Sequence, residues 1–475
     1  MPLQVTQTAN TEPLLDDATI AAFRTRMRGP VISSWDAGYN KTRAIWNALI
    51  DRRPALIAQC SGVVDVIEAV NFARTNGLLV SIRGGGHNVA GYAVCDGGLM
   101  IDLSLMNGVW VDPAARTARV QGGALWGDVD RETQLFGLAT PGGVVSHTGV
   151  AGLTLGGGFG YLSRKYGLTC DNLIAANMVT ADGQCLTASA KENTDLFWAI
   201  RGGGGNFGIV TSFEFQLHQV GPTVMAGLAF YPFDQARTVL QAFRDIASEA
   251  PDELFCIPLL RLAPPAPFLP KSIHGKPVVG IVACYTGALE AGEAAVGPLR
   301  TLGNPVIDLF APKPYTLHQS FLDATQPHGR CYYWKSEYLA GLSDEVIDTA
   351  IEHAEKISSP FSLIGFFQLG GAINRTGSTE TAYGRRNAAF ALNIASSWEN
   401  PADAEKHMAW TRGFWTAMQP FSMGGGYINF LSQDDDAARV KAALGGTDYE
   451  RLIAVKNKYD PTNLFRMNQN IKPTV

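Results

Sequence analysis

The chain has few cysteines, little charge and no long apolar run, and each shortage argues against a class of protein. Its seven cysteines (60, 95, 170, 185, 256, 284 and 331) are odd in number, widely spaced and never arranged as CxxC. That pattern argues against a disulfide framework or a zinc site and suits reduced, mostly buried thiols. The eight histidines show neither HxH nor HExxH spacing, so no structural metal is expected. Charged residues make up 17% of 475, the formal net charge is −5, and no long basic run occurs. A nucleic acid or an anionic membrane is therefore disfavoured as a partner. No apolar stretch approaches the length of a membrane span, and the first ten residues lack a basic n-region and an apolar h-region. The expected location is cytoplasmic.

What is present is hydrophobic content of 46%, typical of a packed globular protein, over a length that suggests two or three domains. The 51 glycines cluster at 84–86, 142–143, 156–160, 202–208 and 424–426. Clustering implies several places where a ligand approaches the backbone closely. The most informative run is Ser81-Ile-Arg-Gly-Gly-Gly-His-Asn88, directly after the strand-like Leu78-Leu79-Val80. Consecutive amides in such a turn form a nest suited to a phosphate or pyrophosphate, and the histidine offers an imidazole beside it. Read alone, the same run is also a glycine-rich turn with an incidental histidine.

Apolar spacing predicts a helix over 65–75, strands at 78–82, 99–103 and 117–121, and a helix over 124–136. The glycine-dense, apolar stretch from Ala139 to Tyr166 reads as a long loop wrapping a buried planar ligand. A hairpin over 178–187 and a strand over 209–217 follow. Beyond about residue 220, helices over 233–250, 288–302 and 344–358 alternate with strand-like runs at 278–284, 363–369 and 389–394. This is the pattern of a second α+β domain on an antiparallel sheet. The last stretch, 449–475, begins with a helix and ends in an ordered polar pattern, and no internal repeat is present.

Several motifs allow two readings. Gly203-Gly-Gly205-Asn-Phe-Gly208 satisfies GxGxxG, but a strand follows it where the dinucleotide fingerprint needs a helix, so a tight turn near a ligand is preferred. His147 is either a base or a satisfied polar group, and with Ser146 it lacks the GxSxG elbow of a hydrolase. Tyr427, Asn429 and Asn468-Gln-Asn470 are turn residues or else neutral donors for a carbonyl edge. Arg330 and Tyr332-Tyr-Trp-Lys335 read as ordinary packing with snorkelling stems.

Four stretches in one order carry a family resemblance: Arg83 to Asn88, Thr148 to Gly160, Gly205 to Thr211 and Tyr459 to Asn470. From about Asn47 to Pro473 the chain resembles the flavoprotein oxidases of the vanillyl-alcohol oxidase superfamily, berberine-bridge-enzyme-like branch. The resemblance implies an α+β fold with a two-subdomain FAD-binding domain of the PCMH type. It also implies a substrate domain whose antiparallel sheet is flanked by helices. The expected boundaries are 45–220 and 221–434, with 435–475 returning to the FAD-binding domain. The implied cofactor is FAD, held by Arg83, Gly84, Gly85, Gly86, His87 and Asn88, then by Thr148, Gly149, Gly152, Leu153 and Gly158. Asn206, Gly208, Ile209, Asn468 and Asn470 complete the implied set.

In this family the histidine is bonded to the flavin 8α-methyl. Many relatives add a second link from a cysteine where this chain has Val145, so attachment through His87 alone is implied. That departure tilts the substrate away from oligosaccharides. Val89 stands where many relatives carry an active-site tyrosine, although Tyr92 is near. The implied reaction is hydride transfer from a C–H next to a hydroxyl or amine, with molecular oxygen reduced to hydrogen peroxide. The expected substrate is a small or medium alcohol, amine or sugar-like metabolite. Tyr427 and Tyr92 are candidate bases, and Gln368 and Asn393 are candidates for orienting substrate. A dehydrogenase on the same scaffold and a flavin-binding protein without turnover are the alternatives.

Overall fold

The computed structural model describes residues 3–4, 14–444 and 448–475. Three sheets of four or more strands organise them, beside two two-stranded pairings. The first contains Val31–Ser33, Leu56–Gln59, Leu99–Asp102 and Val80–Arg83 in that spatial order, with the last three mutually parallel. Helix Val63–Thr75 makes the crossover between Leu56–Gln59 and Val80–Arg83. Its buried face is Val66, Ala69, Val70 and Ala73, the spacing that the sequence pattern predicted. It stops where Gly77 turns the chain at φ +62°.

The second sheet is antiparallel, in the order Cys185–Ser189, Leu173–Val179, Ile209–Gln216, Thr117–Gln121 and Val109–Asp112. Helix Trp126–Gln134 and the late helix Tyr449–Tyr459 share its core through Trp126, Val129, Leu452 and Val455. The GxGxxG run sits between helix Thr194–Ala199 and strand Ile209–Gln216, the reverse of the dinucleotide-fold order.

The long glycine loop differs from expectation, because it folds short helices at Val150–Leu155 and Ser163–Tyr166. Val150, Ala151 and Leu155 bury one face, and the Thr154 hydroxyl donates back to the Val150 carbonyl at 2.7 Å. An apolar face one turn long is enough when a core receives it, even in a glycine-dense sequence.

The third sheet has eight antiparallel strands. Its main path runs Ile307–Asp308, Thr223–Pro232, Pro277–Tyr285, Leu254–Leu262, Leu363–Gln368, Phe390–Trp398 and Cys331–Leu339, and Ala311–Pro314 also pairs with Thr223–Pro232. Helices Ala236–Glu249, Leu289–Arg300, Asp344–Ala354 and Ala404–Met418 cover one face through Val239, Phe243, Leu299, Ile347 and Phe414. The opposite face presents Ile257, Leu259, Phe367, Ala391 and Tyr338 to Phe159, Tyr161 and Leu162 of the glycine loop. Alternation assigns each strand residue to one layer or the other. Within Cys331–Leu339 it sends Trp334 to the loop side and Lys335 to Asp434 and Asp435, both at 2.9 Å. No helix among the described residues is long and apolar enough to cross a membrane.

Candidate active site

Strand Val80–Arg83 delivers the glycine run to the place where the three sheets converge. Arg83 does not reach a cavity. Its guanidinium makes a two-point ion pair with buried Asp102 on the neighbouring strand, at 2.9 and 2.7 Å. That pair anchors the strand end from which Gly84 departs. A Cβ on Gly85 would lie 2.4 Å from Gly149 Cα, and one on Gly149 would lie 2.5 Å from Gly85 N. The two glycine loops therefore touch backbone to backbone, a contact that any side chain would break.

His87 follows immediately, half-buried, with its ring in the cavity wall. Its ring stacks on Trp46 with centroids 4.1 Å apart and planes inclined by 17°, and Trp46 stacks in turn on Tyr332 at 3.6 Å. The Trp46 indole N–H donates to the Gln326 carbonyl at 2.8 Å, which fixes the sandwich. His87 Nε2 is buried without a hydrogen-bond partner. Burial pulls its pKa well below the usual imidazole range, with His147 and His328 adding to the effect. At neutral pH the ring is uncharged and keeps a free lone pair.

Two adjoining cavities open beside it. The first, about 240 Å³, is lined by Gly84, Gly85, Gly86, His87, Asn88, Thr148, Gly149, Gly152 and Leu153 on the loop side. Sheet residues Ile257, Leu259, Arg261, Phe367 and Asn393 close it, together with Tyr427 and Phe430. The second, about 170 Å³, is lined by Gly204, Gly205, Asn206, Gly208, Ile209, Tyr92, Met467 and Asn468. Both share Ile82, Gly84, Asn88, Ala93, Gly152 and Asn429, so they form one bent trough. A Cβ at Gly152 or Gly205 would meet nothing within 4 Å, so these glycines leave space to an occupant. Asn468 Oδ1 and Gln469 Nε2 are buried without partners beside the second cavity. Glycine cradles, orphaned neutral amides and an imidazole at one end fit an extended dinucleotide with a planar ring.

Several residues expected at the site have other duties. Gln368 faces the helix layer and donates to the Ala247 carbonyl at 3.2 Å, because it shares the alternation phase of Ile364 and Phe366 while Phe367 faces the cavity. Asn393 on the next strand, opposite Gly365, does line the first cavity, with Oδ1 unpartnered. Tyr92 lines the second cavity and not the one that holds Tyr427. Gly158, at φ +80°, lines neither cavity; its N–H donates to the Tyr427 hydroxyl at 3.1 Å. Asn470 also lines neither. Asn206 spends its amide on the carbonyls of Gly203 and Gln469 and accepts from Ile471 N, pinning the terminal tail to the site.

Ser146 donates to Asp323, not to His147, which leaves no hydrolase arrangement there. Trp46 and Arg261 escape sequence reading. Trp46 has no local signal, whereas Arg261 could have been noticed as the one charged residue in the apolar strand Leu254–Leu262. Val145 lines the first cavity, and no cysteine lines either one.

Comparison with known proteins agrees with this geometry. Residues 54–189 match the family profile described as FAD binding domain, and residues 426–472 match berberine and berberine-like. The chain is 32% identical to (R)-6-hydroxynicotine oxidase of Paenarthrobacter nicotinovorans over 94% of its own length and 97% of that protein. The crystal structure of 6-hydroxy-D-nicotine oxidase from Arthrobacter nicotinovorans superposes with a TM-score of 0.85 at 31% identity, covering 94% of this chain and 98% of that one. Glucooligosaccharide oxidase from Acremonium strictum, described with a 6-S-cysteinyl, 8α-N1-histidyl FAD, gives 0.84 at 25% identity, covering 96% and 100%. The fold, the cradle and these relatives agree: the chain belongs to the berberine and berberine-like family and is an FAD-dependent oxidoreductase.

Proposed function

We propose that the protein is an oxidase of a small or medium alcohol or amine, with FAD attached through His87 alone and oxygen reduced to hydrogen peroxide. The observation that carries this reading is the uncharged His87 with a buried, unpartnered nitrogen, in a cavity wall that contains no thiol. Arg83, Gly158 and Asn470 support the cofactor-binding loops from outside the trough, while the remaining candidates from Gly84 to Asn468 would touch the cofactor. When bound, FAD supplies the hydride acceptor and passes the electrons to oxygen. The small residues around Thr148-Gly149 leave room for oxygen, which favours an oxidase over a dehydrogenase.

Tyr427 and Asn393 face the substrate space together. The Tyr427 oxygen accepts from Gly158 N–H at 3.1 Å and from Asn429 Nδ2 at 2.7 Å, which fills both lone pairs. Its own proton is thus free to be donated, and burial pushes its pKa up, so it rests as the phenol. Tyr427 therefore donates a hydrogen bond to a substrate oxygen, not to the lone pair that an amine needs to form an iminium, and does not act as a resting base. Asn393 Oδ1 accepts the substrate O–H or N–H. No carboxylate among the described residues lines the first cavity. A neutral amine that loses hydride leaves as an iminium and needs no proton acceptor, so the geometry suits an amine better than an alcohol.

An oxygen-electrode screen of amines, alcohols and sugars, with peroxidase-coupled peroxide detection, tests the reading. A compound that bleaches the flavin anaerobically while oxygen uptake stays absent would make the protein a dehydrogenase. A flavin that no compound bleaches would make it a carrier. Tyr427→Phe removes the donated hydrogen bond and is expected to slow flavin reduction about tenfold while substrate affinity changes less. Unchanged stopped-flow reduction would remove Tyr427 from the chemistry.

A further inference from the structure

The first cavity contains a cation that no carboxylate among the described residues neutralises. Arg261 lies on the cavity face of strand Leu254–Leu262 and is only 8% exposed. Its Nε donates to the Leu262 carbonyl at 3.1 Å. No carboxylate pairs with it among the described residues, and the one charge that acts on it is another cation, Arg330. The other buried arginines, and half-buried Arg83, are provided for. Arg83 pairs with Asp102, Arg386 pairs with Asp171 at 2.6 and 2.9 Å, and Arg164 donates to the carbonyls of Leu369 and Ala250. Burial and Arg330 lower the Arg261 pKa to about 10, which still leaves it charged at neutral pH. A buried charge without a counter-ion is costly unless the occupant of the site supplies one.

Sheet register says where that occupant would lie. Arg261 pairs with Leu363, Leu363 with Ala395, and Ala395 with Trp334, so one rung carries the cation at one end and an indole at the other. Asn393 stands on the next cavity-facing rung, opposite Gly365. Two strand spacings across and two residues along separate the Arg261 and Asn393 Cα atoms by about 12 Å. Leu259, Leu363 and Ala395 line the space between them, and all are apolar.

We propose that Arg261 determines specificity by binding a carboxylate on the substrate, whose apolar body spans from there to the C–H oxidised beside Tyr427 and Asn393. A guanidinium meets a carboxylate with two parallel hydrogen bonds, which fixes orientation as well as affinity. The proposal rests on the oxidase reading above for the location of the reacting carbon, but the binding test below needs no turnover.

Phenylacetate and phenylacetamide share a shape and differ in charge, so they serve as probes. Titration of the flavin-loaded protein, followed by flavin absorbance, is expected to show the acid binding about tenfold or more tighter than the amide. Arg261→Gln is expected to abolish the preference while amide binding changes little, and Arg261→Lys to retain part of it. Equal responses to acid and amide, including none from either, would overturn the proposal, as would a preference that survives in Arg261→Gln. A shifted flavin spectrum in probe-free Arg261→Gln would assign the cation to the flavin and also overturn it. Should Arg261→Gln fail to fold, the native pair and Arg261→Lys still decide. A failed oxygen screen beside a clear acid preference would sink the oxidase reading and leave this one standing.

Discussion

His87→Ala is expected to yield protein whose flavin passes entirely into the supernatant on acid precipitation, whereas the native pellet stays yellow. The expectation follows from uniqueness as much as from position. His87 is uncharged, its Nε2 is buried without a partner, and no cysteine lines the trough to offer a second attachment. Loss of the proposed bond to the ring would lower the flavin's redox potential and with it the driving force for accepting hydride. Flavin reduction is expected to slow by about tenfold or more, where each tenfold corresponds to about 1.4 kcal/mol of barrier. The Trp46 sandwich shapes the pocket without the imidazole, so the variant should still bind FAD non-covalently. Native protein that releases all its flavin to acid would refute the covalent link. A fully active alanine variant would strip the link of functional weight.

The second large effect concerns stability. Lys456 and Asp460 are completely buried and meet at 2.6 Å within the helix turn that precedes the terminal tail. The Lys456 ammonium also donates to the carbonyls of Asn206 and Phe465, at 2.8 and 3.0 Å. The Asp460 carboxylate accepts from the N–H groups of Leu464 and Phe465. Every polar atom of the pair is occupied, and the pair ties tail, helix and the Asn206 loop at one point. Lys456→Met leaves the carboxylate buried without its cation and is expected to cost about 3–5 kcal/mol in chemical denaturation. FAD affinity should fall with it, because the Asn206 loop lines the second cavity. Replacing both partners, Lys456→Met with Asp460→Leu, should recover part of the loss, since no lone charge is then left inside. A single variant as stable as the native protein would show that the tail does not depend on this pair.

What could be read in the sequence was local. The run from Gly84 to Asn88 announces a cradle because its chemistry lies in consecutive residues, and the helix over 63–75 announces itself by one-sided spacing. What could not be read depends on partners far along the chain. Arg83 looked like a cofactor ligand until Asp102, nineteen residues on, took its guanidinium. Gln368 was one residue out of phase: strand alternation is visible in sequence, but which phase faces a cavity is set by the layer packed against it. Strands Thr223–Pro232, Leu254–Leu262 and Cys331–Leu339 are buried on both faces and show little of the alternation that marks a half-exposed strand. Trp46 owes its role to Tyr332 and Gln326, almost three hundred residues away.

The contact between Gly85 and Gly149 has a consequence for how this protein can change. In most crowded places an enlarged residue can be rescued by a smaller neighbour; Gly156 is such a place, since its crowding neighbour is the Asn429 side chain. Gly85 and Gly149 allow no such trade, because each fills the space of the other's missing Cβ and neither can become smaller. A library randomised at both positions and selected for flavin retention is therefore expected to return glycine at both, with no compensating pairs. Drift in these two loops has to go around that point, and the seam marks the part of the cradle least open to redesign.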